Sequence, residues 1–136
     1  MVENGDLRTE ELEPITRAAI ARYAGASGDF NPIHIDEEFA KSAGFPSVFA
    51  MGMLTSGHLS RMLTDWFGIG AILHYSTRFT GRVWPGDRLT LGARVTAVEV
   101  RRDAGDCAEL ELWVENKGGQ RVIAGQATVS LAGTGA

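Results

Sequence analysis

A long apolar helical segment and the strand-rich half-chain that follows it set the tightest limits on the fold. From about Met51 to Phe67, apolar residues occupy much of a helix circumference, the pattern of a helix buried on several sides. The later segments alternate apolar and polar residues with a period of two, which is typical of a half-exposed antiparallel sheet. Helices followed by about four strands in a meander predict an α+β fold, in which the antiparallel sheet curls around the long helix. The segments lie near residues 71–79, 88–98, 108–115 and 121–131.

The chain before the long helix is predicted to be less regular. Its first ten residues are expected to form a loose lead-in, and a helix is expected from about Pro14 to Gly25. Asp36 is placed to cap a second, short helix. Because 136 residues are a single-domain length, we expect one domain over residues 1–136 with its core at about 14–131.

Composition argues against several classes of protein. A formal net charge of −4 opposes general nucleic-acid binding, which needs a basic surface. No run of about 18 apolar residues occurs, so no membrane span is predicted. The polar, acidic start lacks the features of a signal peptide, and the single cysteine, Cys107, fits a reducing compartment. We therefore expect a globular cytoplasmic protein.

The run Gly-Asp-Phe-Asn-Pro-Ile-His at residues 28–34 is the main candidate for chemistry. It places a carboxylate, Asp29, and an imidazole, His34, on a segment that Asn31 and Pro32 make extended and stiff. An acid and a base held together on a rigid loop can exchange protons with a substrate or a water. The same residues are also ordinary turn formers, and a histidine between two isoleucines can be a satisfied core residue. The residues alone leave both interpretations open.

Other groups of residues carry weaker signals. The three histidines are too scattered for a recognisable zinc spacing, so no metal is expected. Several arginines recur in the second half and are either solvated surface or a phosphate-binding group. These arginines are Arg78, Arg82 and Arg88.

The stretch from Tyr23 to His34, Tyr-Ala-Gly-Ala-Ser-Gly-Asp-Phe-Asn-Pro-Ile-His, resembles the signature of the MaoC-like (R)-specific enoyl-CoA hydratases, also called hydratase 2. Ala43-Gly44-Phe45 with Met51-Gly52-Met53-Leu54-Thr55, and then Phe79 to Asp87, are similar to later blocks of that family in the same order. The likeness covers roughly residues 14–131 and extends to actinobacterial (3R)-hydroxyacyl-thioester dehydratases. Met51 departs from the family pattern, which usually has His-Gly-Met at the start of the long helix.

This resemblance implies a single hot-dog domain, a long central helix wrapped by an antiparallel β-sheet. It also implies at least a homodimer, with two sheets joined edge to edge, or a heterodimer with a related subunit. The implied activity is that of a lyase (hydro-lyase) of fatty acid metabolism. It interconverts trans-2-enoyl and (R)-3-hydroxyacyl thioesters by adding or removing water. Coenzyme A or acyl-carrier protein carries the substrate, and no cofactor is expected.

The resemblance also assigns the acid–base roles to two residues, and the sequence positions of two more suggest roles for them. Asp29 and His34 are the catalytic acid–base pair that holds and activates the water. Which of the two acts as acid and which as base is left open. The backbone N–H of Gly52, at the expected start of the long helix, donates to the thioester oxygen as it becomes an oxyanion, or Gly52 only relieves crowding there. Asn31 supports the pair by holding the loop in register.

Two other functions stay open beside the hydratase. A hot-dog acyl thioesterase would share the fold and hydrolyse the thioester instead. The chain could also be one subunit of a hetero-oligomeric dehydratase acting on acyl-carrier-protein or steroid-CoA substrates. The sequence leaves the acyl group and the physiological direction open as well.

Overall fold

The computed structural model describes residues 1–101 and 105–132. The sequence expectation of one domain over residues 1–136 therefore includes two segments, 102–104 and 133–136, that lie outside the described residues. In chain order the elements are β1 (Leu7–Glu11), α1 (Arg17–Ser27), a 3₁₀ turn (Pro32–His34), α2 (Glu37–Ser42), α3 (Gly52–Phe67), β2 (Ile72–Phe79), β3 (Leu89–Glu99), β4 (Cys107–Asn116) and β5 (Arg121–Ser130).

The strands form one antiparallel sheet in the order β1-β3-β4-β5-β2. Helix α3 contacts β2, β3, β4 and β5, so the sheet wraps the longest helix of the described chain. The predicted α+β hot-dog class is confirmed by this arrangement. The prediction of a simple meander is wrong in one respect, because β2 pairs with β5 rather than with its sequence neighbour β3.

The core lies between α3 and the inner face of the sheet. Leu59, Met62 and Leu63 are fully buried, and their spacing along α3 places them on one face of the helix. They meet the alternate, inward-pointing residues of the strands, such as Leu91 on β3 and Leu112 on β4. Burial of this apolar surface holds the helix in the curve of the sheet and so fixes where its first turn lies.

Two expectations for the start of the chain are corrected. Instead of a loose lead-in, residues 7–11 form β1, which pairs with the outer edge of β3. The first helix begins at Arg17 and not near Pro14, because the side chain of Thr16 accepts a hydrogen bond from the backbone N–H of Ala19 and caps it. Within the described ranges, no helix is both long and apolar enough to cross a bilayer.

Candidate active site

The loop that carries Asp29 is held by a chain of local hydrogen bonds. Gly28 ends α1 in the left-handed conformation, at φ +76°, which glycine adopts without strain. The hydroxyl of Ser27 accepts from the N–H of Asp29 at 3.2 Å, and the Asp29 carboxylate accepts from the N–H of Asn31 at 3.3 Å. Asn31 in turn accepts from the N–H of Ile33 at 3.2 Å and caps the 3₁₀ turn. The carboxylate is therefore fixed relative to the turn that follows it.

The 3₁₀ turn places the side chain of His34 in the protein interior. The imidazole is only 8% exposed, and its Nδ1 atom lies 2.7 Å from the carbonyl oxygen of Phe49. The Phe49 ring also meets the imidazole edge-on at 5.1 Å between centroids. The other ring nitrogen, Nε2, lies 3.8 Å from the Oδ2 atom of Asp29, whose side chain is 45% exposed. This gap exceeds a direct hydrogen bond, and a water can bridge two polar groups at such a separation.

Helix α3 begins beside this pair without a side-chain cap. Its N-cap residue is Met51, which is buried and makes no capping hydrogen bond, whereas Thr16, Asn31 and Asp36 cap the other helical segments. The backbone N–H groups of a first helical turn have no partner within the helix and carry the positive end of its dipole. The Leu54 N–H bonds to the carbonyl of Met51, which leaves the N–H of Gly52 at the start of α3 able to donate to an incoming oxygen.

A cavity of about 160 Å³ joins the imidazole to the start of α3. Its wall is mostly apolar, and Gly52 fits there because a Cβ atom at this position would lie 2.8 Å from the ring of Phe79. Thr55 also contributes to the wall, one helical turn after Gly52. The lining residues are His34, Phe49, Ala50, Gly52, Thr55, Phe79, Gly81, Arg82, Val83, Val122 and Ile123.

The aromatic and charged residues around the cavity are packed on one another. The guanidinium of Arg82 lies 4.9 Å from the ring centre of Phe45 and 5.5 Å from that of Phe49. Phe49 also contacts the rings of Phe45 and Trp84 edge-on. Contacts of this kind restrain Phe49, and through its carbonyl they restrain the imidazole of His34.

One group of potential metal ligands lies elsewhere, at the far ends of β3 and β4. Ligand atoms of Glu99, Cys107 and Glu109 approach within 4.8 Å of one another. Burial raises the pKa of the Cys107 thiol, so the protonated form that binds metals poorly is favoured. Glu99 is already paired with Arg101 at 3.0 Å, and Glu109 accepts from the Thr128 hydroxyl at 2.8 Å. The group fits a paired structural cluster better than a metal site.

The sequence run brings its residues together as its spacing suggests, and the structure adds others. Asp29, Asn31 and His34 share one loop, and Gly52 lies on the same cavity as the imidazole. The carbonyl of Phe49 and the hydroxyl of Thr55 were missed. A backbone oxygen leaves no signal in the sequence, whereas a threonine on the apolar face of a helix is a signal that could have been used.

Comparison with known proteins places this chain in a family. The family described as MaoC like domain matches residues 2–117. An (R)-specific enoyl-CoA hydratase of Aeromonas caviae is 34% identical over 116 residues, which are 84% of this chain and 84% of that protein. The solved structure of an (R)-hydratase from A. caviae involved in PHA biosynthesis has a TM-score of 0.84 at 32% identity, covering 96% of this chain and 97% of that one. R-hydratase PhaJ1 from Pseudomonas aeruginosa, in the unliganded form, has a TM-score of 0.82 at 28% identity, covering 94% and 81%.

The family match spans most of the chain, and the relative from A. caviae exceeds 30% identity over more than two thirds of it. The matched residues 2–117 include the loop at residues 28–34. This protein therefore belongs to the MaoC-like domain family.

Proposed function

We propose that this protein catalyses the reversible hydration of trans-2-enoyl thioesters to (R)-3-hydroxyacyl thioesters. The observation that carries the proposal is the placement of His34 Nε2, 3.8 Å from the Asp29 carboxylate and on the wall of an apolar cavity. A water held between these two groups would face an acyl chain in that cavity. Curated relatives of this chain are named (R)-specific enoyl-CoA hydratases, which supports the same reaction.

The proposed chemistry uses the pair as base and acid. The water oxygen bonds to C3 of the enoyl group while one of its protons passes to the pair, and C2 takes a proton from the pair. The Nδ1 atom of His34 faces a carbonyl, which can only accept, so Nε2 is the nitrogen left to accept a proton. Because the Asp29 carboxylate and His34 Nε2 lie 3.8 Å apart and can hold one water between them, the proposal assigns the proton transfers to the pair.

The start of α3 supplies the remaining role. As C2 and C3 react, negative charge develops on the thioester oxygen, and the proposal places that oxygen against the backbone N–H of Gly52. The uncapped first turn of α3 supports this placement. A donor aimed at a developing oxyanion typically contributes a factor of about 10²–10³ in rate. Asn31 has a positioning role in the proposal, since it links the carboxylate loop to the 3₁₀ turn.

The substrate is carried as a thioester of coenzyme A or of acyl-carrier protein, and no cofactor takes part in the proposal. The chain length of the acyl group is left to experiment, although a cavity of about 160 Å³ favours a small one. The single, buried cysteine fits a reducing compartment, and the proposal places the enzyme in the cytoplasm.

The proposal includes a homodimer joined along β2. This strand is the last in the sheet order, and Leu73 and Phe79 expose more than half of their side-chain surface there. An outer strand with exposed apolar side chains is a ready surface for pairing with another chain. A sedimentation measurement tests this part of the proposal, and a monomer at micromolar concentration would contradict it.

The reaction is tested by mixing the purified protein with crotonyl-CoA and with a longer trans-2-enoyl-CoA. We expect loss of the conjugated-enoyl absorbance and an (R)-3-hydroxy product on chiral analysis. Asp29→Asn and His34→Ala should each lower kcat/KM by about 10² or more. Asp65→Asn, a matched change in an exposed ion pair of α3, should leave the rate near that of the wild type.

The same assay separates the alternatives. Release of a free thiol, measured with a thiol reagent, would show that the protein hydrolyses the thioester. That result would contradict the proposal. An inactive homodimer that gains activity only with a second, related chain would support the hetero-oligomeric alternative. Asp29 and His34 variants that keep wild-type activity would remove the assignment of the pair.

A further inference from the structure

Thr55 carries a hydroxyl group that the fold does not use. Its side chain is 1% exposed, and among the described residues its Oγ1 atom has no hydrogen-bond partner. Burying a hydroxyl without a partner costs folding free energy, so such a group calls for a reason other than stability. Thr55 belongs to the wall of the cavity that His34 and Gly52 also line.

Neighbouring hydroxyls on the same helix differ from Thr55 because each has a partner. Ser56 contacts the hydroxyls of Tyr75 and Thr77 at 3.0 and 3.2 Å. Further along α3, the Thr64 hydroxyl donates to the carbonyl of Arg61 at 2.9 Å. Threonines in helices commonly satisfy themselves in this local way. Thr55 therefore stands out as a buried donor on the cavity wall that has no partner among the described residues.

The position of Thr55 on α3 brings its hydroxyl toward Gly52. Residues three apart lie on the same face of a helix, and side chains lean toward the helix N-terminus, over the preceding turn. The side chain of Thr55 and the N–H of Gly52 thus belong to the same end of the cavity, at the first turn of α3. One oxygen atom of a ligand at that end can accept from both groups.

We propose that the Thr55 hydroxyl is a second hydrogen-bond donor to the thioester oxygen, beside the N–H of Gly52. This inference rests on the hydration reaction proposed above. The hydroxyl donates a hydrogen bond and loses no proton, and its bond shortens as the oxygen gains charge in the enolate-like transition state. Thr55 is then a catalytic residue that acts on the transition state more than on bound substrate.

The test compares Thr55→Val, which keeps the shape and removes the hydroxyl, with Thr55→Ser, which keeps the hydroxyl. On the enoyl thioester that the wild type hydrates, Thr55→Val should lower kcat by about 10² with little change in KM. Thr55→Ser should retain most of the activity. Thr64→Val serves as the matched control on the same helix and should keep the wild-type kcat.

Thermal unfolding separates this role from a structural one. Because the Thr55 hydroxyl has no partner in the fold, Thr55→Val should unfold at or above the wild-type temperature while losing activity. A Thr55→Val enzyme with wild-type kcat overturns the inference and leaves the proposed reaction standing. The inference is also overturned if the activity of Thr55→Val falls only in proportion to its stability and Thr55→Ser does not restore that activity. A wild type that hydrates no enoyl thioester overturns both proposals.

Discussion

The Nδ1 atom of His34 lies 2.7 Å from the carbonyl oxygen of Phe49, two residues before the cap of α3. A carbonyl oxygen accepts hydrogen bonds and cannot donate them, so the neutral imidazole carries its proton on Nδ1. The lone pair of the ring is then on Nε2, the nitrogen nearer Asp29. A single backbone contact therefore sets which nitrogen of His34 is available to accept a proton.

This contact predicts the tautomer of His34. In ¹⁵N-labelled protein with a neutral imidazole, we expect long-range ¹H–¹⁵N spectra to show His34 protonated at Nδ1. His34→Ala identifies the signal by its disappearance. Phe49→Leu keeps the backbone carbonyl and should keep the tautomer, although it removes the edge-on ring contact. An Nε2-protonated ring would contradict the assignment of the base.

Asn31→Ala should weaken both the fold and the reaction. The lost cap on the 3₁₀ turn is expected to lower the free energy of unfolding by about 1 kcal/mol, measured by urea titration. Because the loop also positions Asp29, kcat/KM should fall by more than the stability change explains. Asn116→Ala is the matched control, since that side chain accepts from the backbone N–H of Gln120 away from the cavity. It should lose similar stability and no activity, and an equal rate loss in both variants would argue against a role for the loop.

Gly52→Ala should reduce activity through Phe79. The added methyl group would lie 2.8 Å from the Phe79 ring, so the ring has to move and the cavity wall shifts with it. A displacement of about 1 Å near reacting atoms can lower kcat by about 10²-fold. Gly57→Ala, on the same helix with nothing within 4 Å of the added carbon, should be active and slightly more stable. If the clash is the cause, Phe79→Ala should recover part of the lost rate in the double variant.

His58 should make the protein less stable in mild acid. Burial lowers the pKa of this imidazole below 6.5, the positive charge of Arg61 lowers it further, and the Glu10 carboxylate opposes both. The unfolded chain then binds the proton more tightly than the folded one, so the free energy of unfolding falls as the pH drops through about 6.5. His58→Gln should flatten this decline between about pH 7.5 and pH 5.5 in urea titrations. The exposed His74, changed to Gln in the same way, should leave the decline in place.

Much of the fold follows from local patterns in the sequence. The apolar segment ending at Phe67 is α3, and the four alternating segments are β2 to β5 to within about one or two residues at each end. Strand β1 was missed because its sequence, Leu-Arg-Thr-Glu-Glu, is short and polar and owes its shape to the edge of β3. Local alternation also cannot say which strands pair, and β2 reaches β5 across more than 40 residues of chain.

Part of the candidate site also follows from local sequence, and part depends on packing. A stiff run of residues determines how Asp29 and His34 approach each other, so the sequence predicts the pair. The contacts made by Phe49 and Thr55 depend on how α3 sits in the sheet, which is a property of the whole core. Packing also decides that a Cβ atom at Gly52 would meet Phe79, a residue 27 positions later.

The two borders of the sheet are unlike in chemistry. On β1, Arg8, Glu10 and Glu11 put charges along one border, while β2 presents Leu73 and Phe79 along the other. Charged side chains discourage a further strand from adding to an edge. Pairing of β2 with β2 of a second copy would bury the apolar edge of both sheets. Growth would then stop at two chains, so the same difference between the two edges that would permit this dimer would also protect the protein from forming fibres.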